Sequence, residues 1–262
     1  MDGFSELTWP EYCAIKALNQ SRLKKILVSP KMFRDDVSKS SRAMSIGSAI
    51  HEFLEHRELG MFLAEPKTDK RTKAGKATLA EFYDKHSETE KRIVPHDIYE
   101  QLIKVEEGFA GHRQARKILN KSKNEVTALA KISGIESKGC FDLLNQNIGM
   151  IADVKTTRRV TKREFESDCI TYGYPFQMAF YSRLYEEIAG EPPKKHAIIV
   201  IETHTPHEVN LYIPDESWLE YGQKKVDQAL DVYKHCLETG KFPGKQQSKW
   251  DSISLPNYMR NK

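Results

Sequence analysis

The sequence contains few cysteines and no long apolar run, and these absences exclude several classes of protein. Its four cysteines, Cys13, Cys140, Cys169 and Cys236, are widely separated and include no Cys-x-x-Cys pair. Structural zinc sites and iron–sulfur clusters need grouped cysteines, and four scattered cysteines favour free thiols over a disulfide framework, so none of the three is expected. No segment reaches the ~18 consecutive apolar residues of a membrane span. The opening residues lack the basic and apolar regions of a signal peptide, which leads us to expect a cytoplasmic protein.

Basic residues outnumber acidic residues only slightly. The chain of 262 residues has 41 Lys and Arg against 37 Asp and Glu, which gives a net charge of +4. Such an excess does not by itself indicate nucleic-acid binding. The basic residues nevertheless gather in three groups: Arg22, Lys24, Lys25, Lys31 and Arg34; Arg113, Arg116, Lys117, Lys121 and Lys123; and Lys155, Arg158, Arg159, Lys162 and Arg163. Each group is either a solvated face or a surface for a phosphate backbone.

The hydrophobic pattern predicts an α/β or α+β fold in a single domain over residues 1–262. Residues 1–120 are expected to be mainly helical, residues 121–240 to form the sheet core, and residues 241–262 to form a tail. Helices are predicted within 10–35 with Ser21 as an N-cap, from Ala43 through Leu54, at 77–87, 97–120 and 176–189, and from Asp215 or Ser217 to near Gly240. Strands are predicted at 125–132, 138–144, 148–155, 196–202 and 208–213, with polar loops at 36–42 and 66–76.

The most informative segment, residues 138–157, carries two carboxylates and a lysine on a predicted β-hairpin. Side chains two apart on a strand share a face, so Asp153 and Lys155 project together, and pairing brings Asp142 close to them. Carboxylates hold Mg²⁺, and an ammonium orients or helps deprotonate a water, which favours metal-assisted phosphodiester hydrolysis. Most Asp-x-Lys triplets are surface residues. Here an apolar run, 148–152, leads directly into Asp153, and a buried carboxylate needs a partner, a cation or a proton.

His51 is a further candidate ligand. It lies on an apolar helical stripe. A histidine there is more often a partly buried residue whose ring nitrogens are hydrogen-bonded than a metal ligand. Gly47 lies one turn earlier. A glycine inside a helix costs about 1 kcal/mol relative to alanine, so its presence indicates a close backbone approach beside His51. Glu55, four residues later, either orients the ring or is a surface partner.

Gln177 and Tyr181 form a second pair with helical spacing. Gln177 lies in the first turn of its predicted helix, where free backbone amides and the helix dipole favour an anion. It is therefore a candidate to hold a phosphate or the attacking water. The alternative is an ordinary amphipathic helix with a polar first turn.

Four motifs occur in a fixed order: Gly-x-x-x-His-x-x-Leu-Glu from Gly47 to Glu55, Gly-x-x-Asp from Gly139 to Asp142, Asp-x-Lys-Thr from Asp153 to Thr156, and Gln-x-x-x-Tyr from Gln177 to Tyr181. Together they resemble the PD-(D/E)xK nuclease superfamily, and within it the RecE-like (exodeoxyribonuclease VIII) nuclease domains of phage and prophage origin. Two positions depart from that pattern. Phe141 replaces the usual proline, and Lys138 stands where RecE-like chains carry an arginine.

The resemblance implies a restriction-endonuclease-like core, with a central mixed β-sheet flanked by helices and an N-terminal helical elaboration. It implies that His51, Asp142, Asp153 and the carbonyl of Val154 hold Mg²⁺, for which Mn²⁺ is a substitute. Lys155 would act on the water, and Gln177 would position substrate. Glu125 resembles an acidic position of the family less closely. Further substrate contacts are expected from Arg22, Thr156, Tyr181, Arg158 and Arg159.

The implied activity is that of a Mg²⁺-dependent exonuclease that acts 5′ to 3′ on linear duplex DNA and leaves 3′ single-stranded overhangs for recombination. The implied assembly is a homo-oligomeric ring around DNA, with a single-strand annealing protein as a further partner. Two alternatives stay open. One is an endonuclease of the same superfamily, and the other is a DNA-end-binding recombination scaffold without catalysis.

Overall fold

A computed structural model of the chain describes residues 3–35, 42–158, 161–245 and 254. The strands of these residues are β1 (Gly3–Glu6), β2 (Phe62–Ala64), β3 (Arg92–Val94), β4 (Lys123–Ile132), β5 (Ile135–Asn145), β6 (Met150–Thr157), β7 (Lys195–Glu202) and β8 (Val209–Tyr212). Six of them form one sheet in the order β1-β4-β5-β6-β7-β8, and β2 pairs with β3 separately.

The helices of the same residues surround this sheet. They are α1 (Trp9–Ala14), α2 (Gln20–Leu23), α3 (Pro30–Asp35), α4 (Arg42–His56), α5 (Lys73–Lys85), α6 (His96–Gly111), α7 (Arg113–Lys121), α8 (Lys162–Tyr172), α9 (Tyr174–Ala189) and α10 (Glu216–Thr239), with short 3₁₀ turns at Lys24–Leu27, Leu59–Met61 and Gln146–Ile148. Among the described residues, no helix combines the length and the apolar character needed to cross a membrane.

The main sheet is mixed, as predicted. Strands β6 and β7 pair in parallel, whereas the other neighbours in the sheet are antiparallel. A parallel pair needs a long crossover connection, which α8 and α9 provide. The prediction of an α/β fold with a central mixed sheet flanked by helices is therefore confirmed.

Two apolar cores lie on the two faces of the sheet. One contains residues of α2, α9 and α10, and the other contains residues of α4, α6 and α7. Strand β6 serves both, because Ile151 packs in the first core while Ala152 and Val154 pack in the second. This alternation places the Asp153 side chain on the face of the sheet against which α9 packs.

Strand β5 breaks that alternation at Asp142. Phe141 and Leu143 are two residues apart and should share a face, yet Phe141 packs in the first core and Leu143 in the second. The β4–β5 ladder is interrupted at the same level, since Asn124 pairs with Leu143 and Val126 with Phe141 while the residues between them do not pair. Groups from both faces of the sheet can therefore meet at this interruption.

Several predicted boundaries need correction. Ser21 is not an N-cap: it lies inside α2, and the Asn19 side chain accepts the capping hydrogen bond from the Arg22 amide at 2.9 Å. The predicted helix 97–120 is two helices that meet at His112. The helix predicted at 77–87 begins earlier, at Lys73 inside the expected loop, because Thr72 caps it.

Further differences concern short or polar elements. The strands β1, β2 and β3 have three or four residues each, too few for a periodic pattern to be recognised. Helix α8 was missed because it is polar, and only Phe165 and Cys169 of it are buried. The predicted loop 36–42 lies almost wholly outside the described residues.

Candidate active site

The β5–β6 hairpin brings the two predicted carboxylates to the same level of the sheet. The ladder between the strands ends at the pair Leu143 and Ala152, so Asp142 and Asp153 face each other just beyond it. The Asp142 carboxylate accepts a hydrogen bond from the backbone N–H of Val154 at 2.7 Å. A side-chain oxygen thus accepts from the backbone just beyond the end of the ladder.

Asp153 is buried, with 3% of its surface exposed, and each of its carboxylate oxygens has a partner. The Lys155 ammonium lies 2.5 Å from Oδ2, and the Gln177 side-chain amide donates to Oδ1 at 2.7 Å. The Lys155 ammonium also lies 4.8 Å from the centre of the Tyr174 ring. These contacts compensate the burial of the charge. Gln177 therefore holds Asp153, whereas the sequence suggested a direct contact with substrate.

The protonation of this pair is set by opposing effects. The pKa of Asp153 is raised to about 6, because burial and the Asp142 carboxylate raise it by more than the Lys155 ammonium lowers it. For Lys155 burial lowers the pKa, but the carboxylates of Asp153 and Asp142 raise it further, so that the net pKa lies above its ordinary value. At neutral pH Lys155 is thus a cation that donates hydrogen bonds, and the structure favours orientation of a water over its deprotonation.

A second group of ligating atoms lies beside this pair. Nδ1 of His51 is 3.5 Å from Glu125 Oε1 and 3.8 Å from Asp142 Oδ1, and one donor atom from each of the three residues lies within 4.8 Å of the others. Burial lowers the pKa of His51, but the Asp142 and Glu125 carboxylates outweigh it and raise the pKa to about 9. The two carboxylates suit a hard divalent cation such as Mg²⁺ or Mn²⁺, and the imidazole adds a nitrogen ligand. We call this trio the ligand cluster.

The backbone at Glu125 is unusual. Its φ of 48° lies in the left-handed region, which non-glycine residues rarely adopt in a strand. Such strain persists where the surrounding structure imposes it, and it concentrates at functional sites. Here it accompanies the interruption of the ladder opposite Asp142 and turns Glu125 toward His51. Sequence reasoning gave this residue the least weight.

The ligand cluster lies in a cavity of about 860 Å³ between α4 and the N-terminal helices α1 and α2, with β4 and β5 as its floor. Tyr181 lines it from α9.

Two glycines near the site differ in how closely other atoms approach them. A Cβ at Gly139 would lie 2.9 Å from the Tyr181 ring and 2.8 Å from Leu184, so only glycine lets α9 pack this closely on β5. Gly47 differs, because a Cβ there would make an ordinary 3.6 Å contact with the Thr156 hydroxyl. The close approach predicted at Gly47 is therefore not required.

The remaining predicted residues lie around the site with less definite roles. Arg22 is exposed, and its guanidinium stacks 4.8 Å above the Phe33 ring. Arg158 is exposed at the end of β6, while Arg159 lies outside the described residues. Lys138 is buried, and its ammonium donates to the backbone carbonyls of Tyr12 and Ile15, at 2.7 and 2.8 Å.

The structure gives two further residues contacts at the site that the sequence did not define. Lys24 is close enough to Lys155 for the two charges to interact, and its ammonium donates to the Tyr172 carbonyl at 2.5 Å. The Cys140 thiol donates to Glu125 at 3.2 Å. Lys24 stood in a basic group already noted, but nothing in the sequence distinguished it from its neighbours. For Cys140 the only signal was its place two residues before Asp142 on a strand.

His51→Ala should weaken cation binding about tenfold or more, because one of three close ligands is lost and each 1.4 kcal/mol corresponds to a factor of ten. Calorimetric titration with Mn²⁺ measures the affinity, and a thermal melt measures stability. His56→Ala is the matched control, since His56 is exposed on the same helix and lines the same cavity outside the ligand cluster. Unchanged Mn²⁺ affinity together with a large drop in melting temperature would instead identify His51 as a structural core histidine.

Comparison with known proteins agrees with this geometry. Residues 14–250 match the model of a family described as a PDDEXK-like domain of unknown function, DUF3799. The crystal structure of a protein described as a putative exonuclease from Eubacterium rectale is similar with a TM-score of 0.55 and 14% identity, over 93% of this chain and 97% of that one. This likeness shows a shared fold. The structure of SSO0001 has a TM-score of 0.30 and 15% identity, over 78% of this chain and 96% of that one, and supports no conclusion. No protein of curated function matches the sequence.

Proposed function

The chain belongs to the PDDEXK-like family DUF3799, and from this membership and the site we propose that it is a Mg²⁺-dependent deoxyribonuclease that degrades linear duplex DNA from the 5′ end. The observation that carries the proposal is the meeting of Asp142, Asp153 and Lys155 with His51 and Glu125 at one interruption of the sheet. A DNA-end-binding scaffold without catalysis needs no such set of residues.

Each residue has a distinct task in this proposal. His51, Glu125 and Asp142 hold the divalent cation, which would polarise the scissile phosphate and make a bound water more acidic. Gln177 and Lys155 fix the Asp153 carboxylate beside that cluster. The Lys155 ammonium has further N–H donors, with which it orients a water or a phosphate oxygen. The Tyr174 ring lies beside this ammonium and limits its motion.

The choice of an exonuclease rests on the RecE-like order of the motifs and on the exposed Arg22, a residue able to grip a terminal phosphate bidentately. The single domain, the homo-oligomeric ring and an annealing partner belong to the same proposal. A closed ring around DNA would dissociate slowly and so support processive digestion. The 3′ overhangs left behind are the substrate that an annealing protein requires.

Digestion of end-labelled linear duplex and of a covalently closed circle, with Mg²⁺ or EDTA, tests the proposal. We expect Mg²⁺-dependent release of nucleotides from the 5′ end of the linear substrate and an intact circle. Cleavage of the circle would instead establish an endonuclease. Absence of cleavage with Mg²⁺ and with Mn²⁺, despite binding to DNA ends, would establish the scaffold.

A further inference from the structure

The cavity that contains the ligand cluster also has an aromatic wall, which has no role in the proposed hydrolysis. Trp9 and Tyr12 of α1 both line it, with ring centres 5.3 Å apart and planes inclined by 20°. Tyr12 is buried, whereas 68% of the Trp9 surface is exposed. One face of the indole thus rests on Tyr12, and the rest of the side chain is open to solvent.

The aromatic pair is held rigidly from below. The Lys138 ammonium lies 4.3 Å from the centre of the Tyr12 ring and donates to the Tyr12 carbonyl. The start of α1 is fixed by Thr8, whose amide and hydroxyl both donate to the Glu11 carboxylate, at 2.8 and 2.7 Å. An exposed tryptophan usually loses side-chain freedom on binding, and this support lowers that cost in advance.

We propose that the open face of Trp9 stacks on an unpaired base of the DNA strand whose phosphate lies at the ligand cluster. The inference rests on the proposed nuclease function. Every nucleotide of a strand carries a base, so a strand threaded past His51 and Asp142 presents bases to the other side chains that line the cavity. A cavity of about 860 Å³ is of the size that accepts a small ligand, or a short stretch of single strand. Stacking on an aromatic ring is also tolerant of base identity, as a nuclease without sequence preference requires.

The single open face of the Trp9 ring matches an unpaired base, which also has an open face. Inside a duplex both faces of a base are covered by its neighbours, whereas a frayed or unpaired terminal base has an open face. Trp9 has one face open and the other supported by Tyr12. The pair therefore favours a strand end that has separated from its complement, and Trp9 acts as a positioning residue for that strand.

The test compares two forms of one duplex, each with a short unpaired 5′ tail, in which the tail carries either thymines or abasic residues. Both forms have the same phosphates, so only base stacking differs between them. In EDTA, where no cleavage occurs, the parent protein should bind the thymine tail about 5- to 100-fold more tightly than the abasic tail. Trp9→Ala should remove this preference, and Trp9→Phe should retain most of it. Tyr221→Leu is the matched control, because Tyr221 is an exposed aromatic residue outside the cavity.

Binding is read by anisotropy of a label on the duplex, and KM and kcat for both tails are measured with Mg²⁺. An effect confined to KM supports positioning. Equal binding of both tails by the parent protein overturns the inference, even if the enzyme is an active nuclease. A change of oligomeric state in Trp9→Ala with an intact base preference also overturns it and assigns Trp9 to a contact between copies. A parent protein that shows the base preference but cleaves no DNA supports the stacking site and refutes the proposed function instead.

Discussion

Asp153→Asn should lower the rate of DNA cleavage by about three orders of magnitude or more. The substitution keeps the shape of the side chain but removes the charge that helps bring the cation to the phosphate, and metal-dependent stabilisation of the transition state is worth several kcal/mol. DNA binding should persist, because the basic residues still attract the phosphate backbone. Cleavage of a labelled duplex and a binding titration on the same preparation measure the two effects.

The matched control for this variant is Asp231→Asn on α10. It makes the same chemical change at an exposed aspartate, so it should leave both cleavage and binding within a factor of about two, as substitutions of exposed side chains usually do. Full activity of Asp153→Asn would refute the assignment of the site. Loss of DNA binding in parallel with cleavage would indicate that the fold, rather than the chemistry, had been damaged.

The hairpin at the centre of the site was predictable because it depends on short-range rules. A period of two places Asp153 and Lys155 together, and the turn between the strands sets the register that brings Asp142 opposite. The strand itself begins later than predicted, at Met150, because Gly149 adopts a left-handed φ of 59° and ends the turn. The spacing of the carboxylates is unaffected by that shift.

The ligand cluster was only partly predictable, because it depends on a departure from those same rules. Regular alternation would put the Phe141 and Leu143 side chains on one face, and it gives Glu125 an ordinary strand conformation. The left-handed Glu125 and the face change at Asp142 occur where Phe141 and Leu143 of one strand pack in different cores. Contacts between residues so far apart in the chain leave no local signal, and the weight given to Glu125 was correspondingly low.

The N-terminal wall of the cavity was unpredictable for a different reason. Trp9 and Tyr12 lie on a helix of six residues, and that helix is positioned by the distant Lys138. Lys138 attracted notice only as a departure from the arginine of RecE-like chains. Its hydrogen bonds to the end of α1 show that the position holds this wall in place, a task that the motif pattern alone does not reveal.

Lys155→Met should reduce cleavage by about two to four orders of magnitude, the range typical of a lost proton-transfer or orienting group. Unlike Asp153→Asn, which removes a negative charge beside the ligand cluster, it removes no group that attracts a cation, so the affinity for Mn²⁺ should stay largely intact. Calorimetric titration beside single-turnover cleavage separates the two variants. A Lys155→Met protein that cleaves at the parental rate would exclude any part for the ammonium in the reaction.

Lys155→Met should also destabilise the fold, by about 3 kcal/mol, because removal of one partner leaves the other charge buried and alone. The sign of its pH dependence follows from Asp153, whose pKa of about 6 is already raised and rises further without Lys155. A group with a raised pKa in the folded state favours folding while it is protonated, and that contribution is lost as the pH rises through the folded pKa. The loss of stability should therefore be larger at about pH 8 than at about pH 5, as urea denaturation at both values measures.

The double variant Asp153→Asn with Lys155→Met separates the structural from the chemical role of the pair. Neither charge of the pair remains, so the cost of a buried charge without its partner is removed. We therefore expect the double variant to regain most of the stability lost in Lys155→Met, and its stability to depend less on pH. Its cleavage rate should stay at the level of the less active of the two single variants, since neither the carboxylate nor the ammonium is restored. Recovery of cleavage along with stability would mean that Asp153 and Lys155 only support the fold, and that the ligand cluster carries out the chemistry without them.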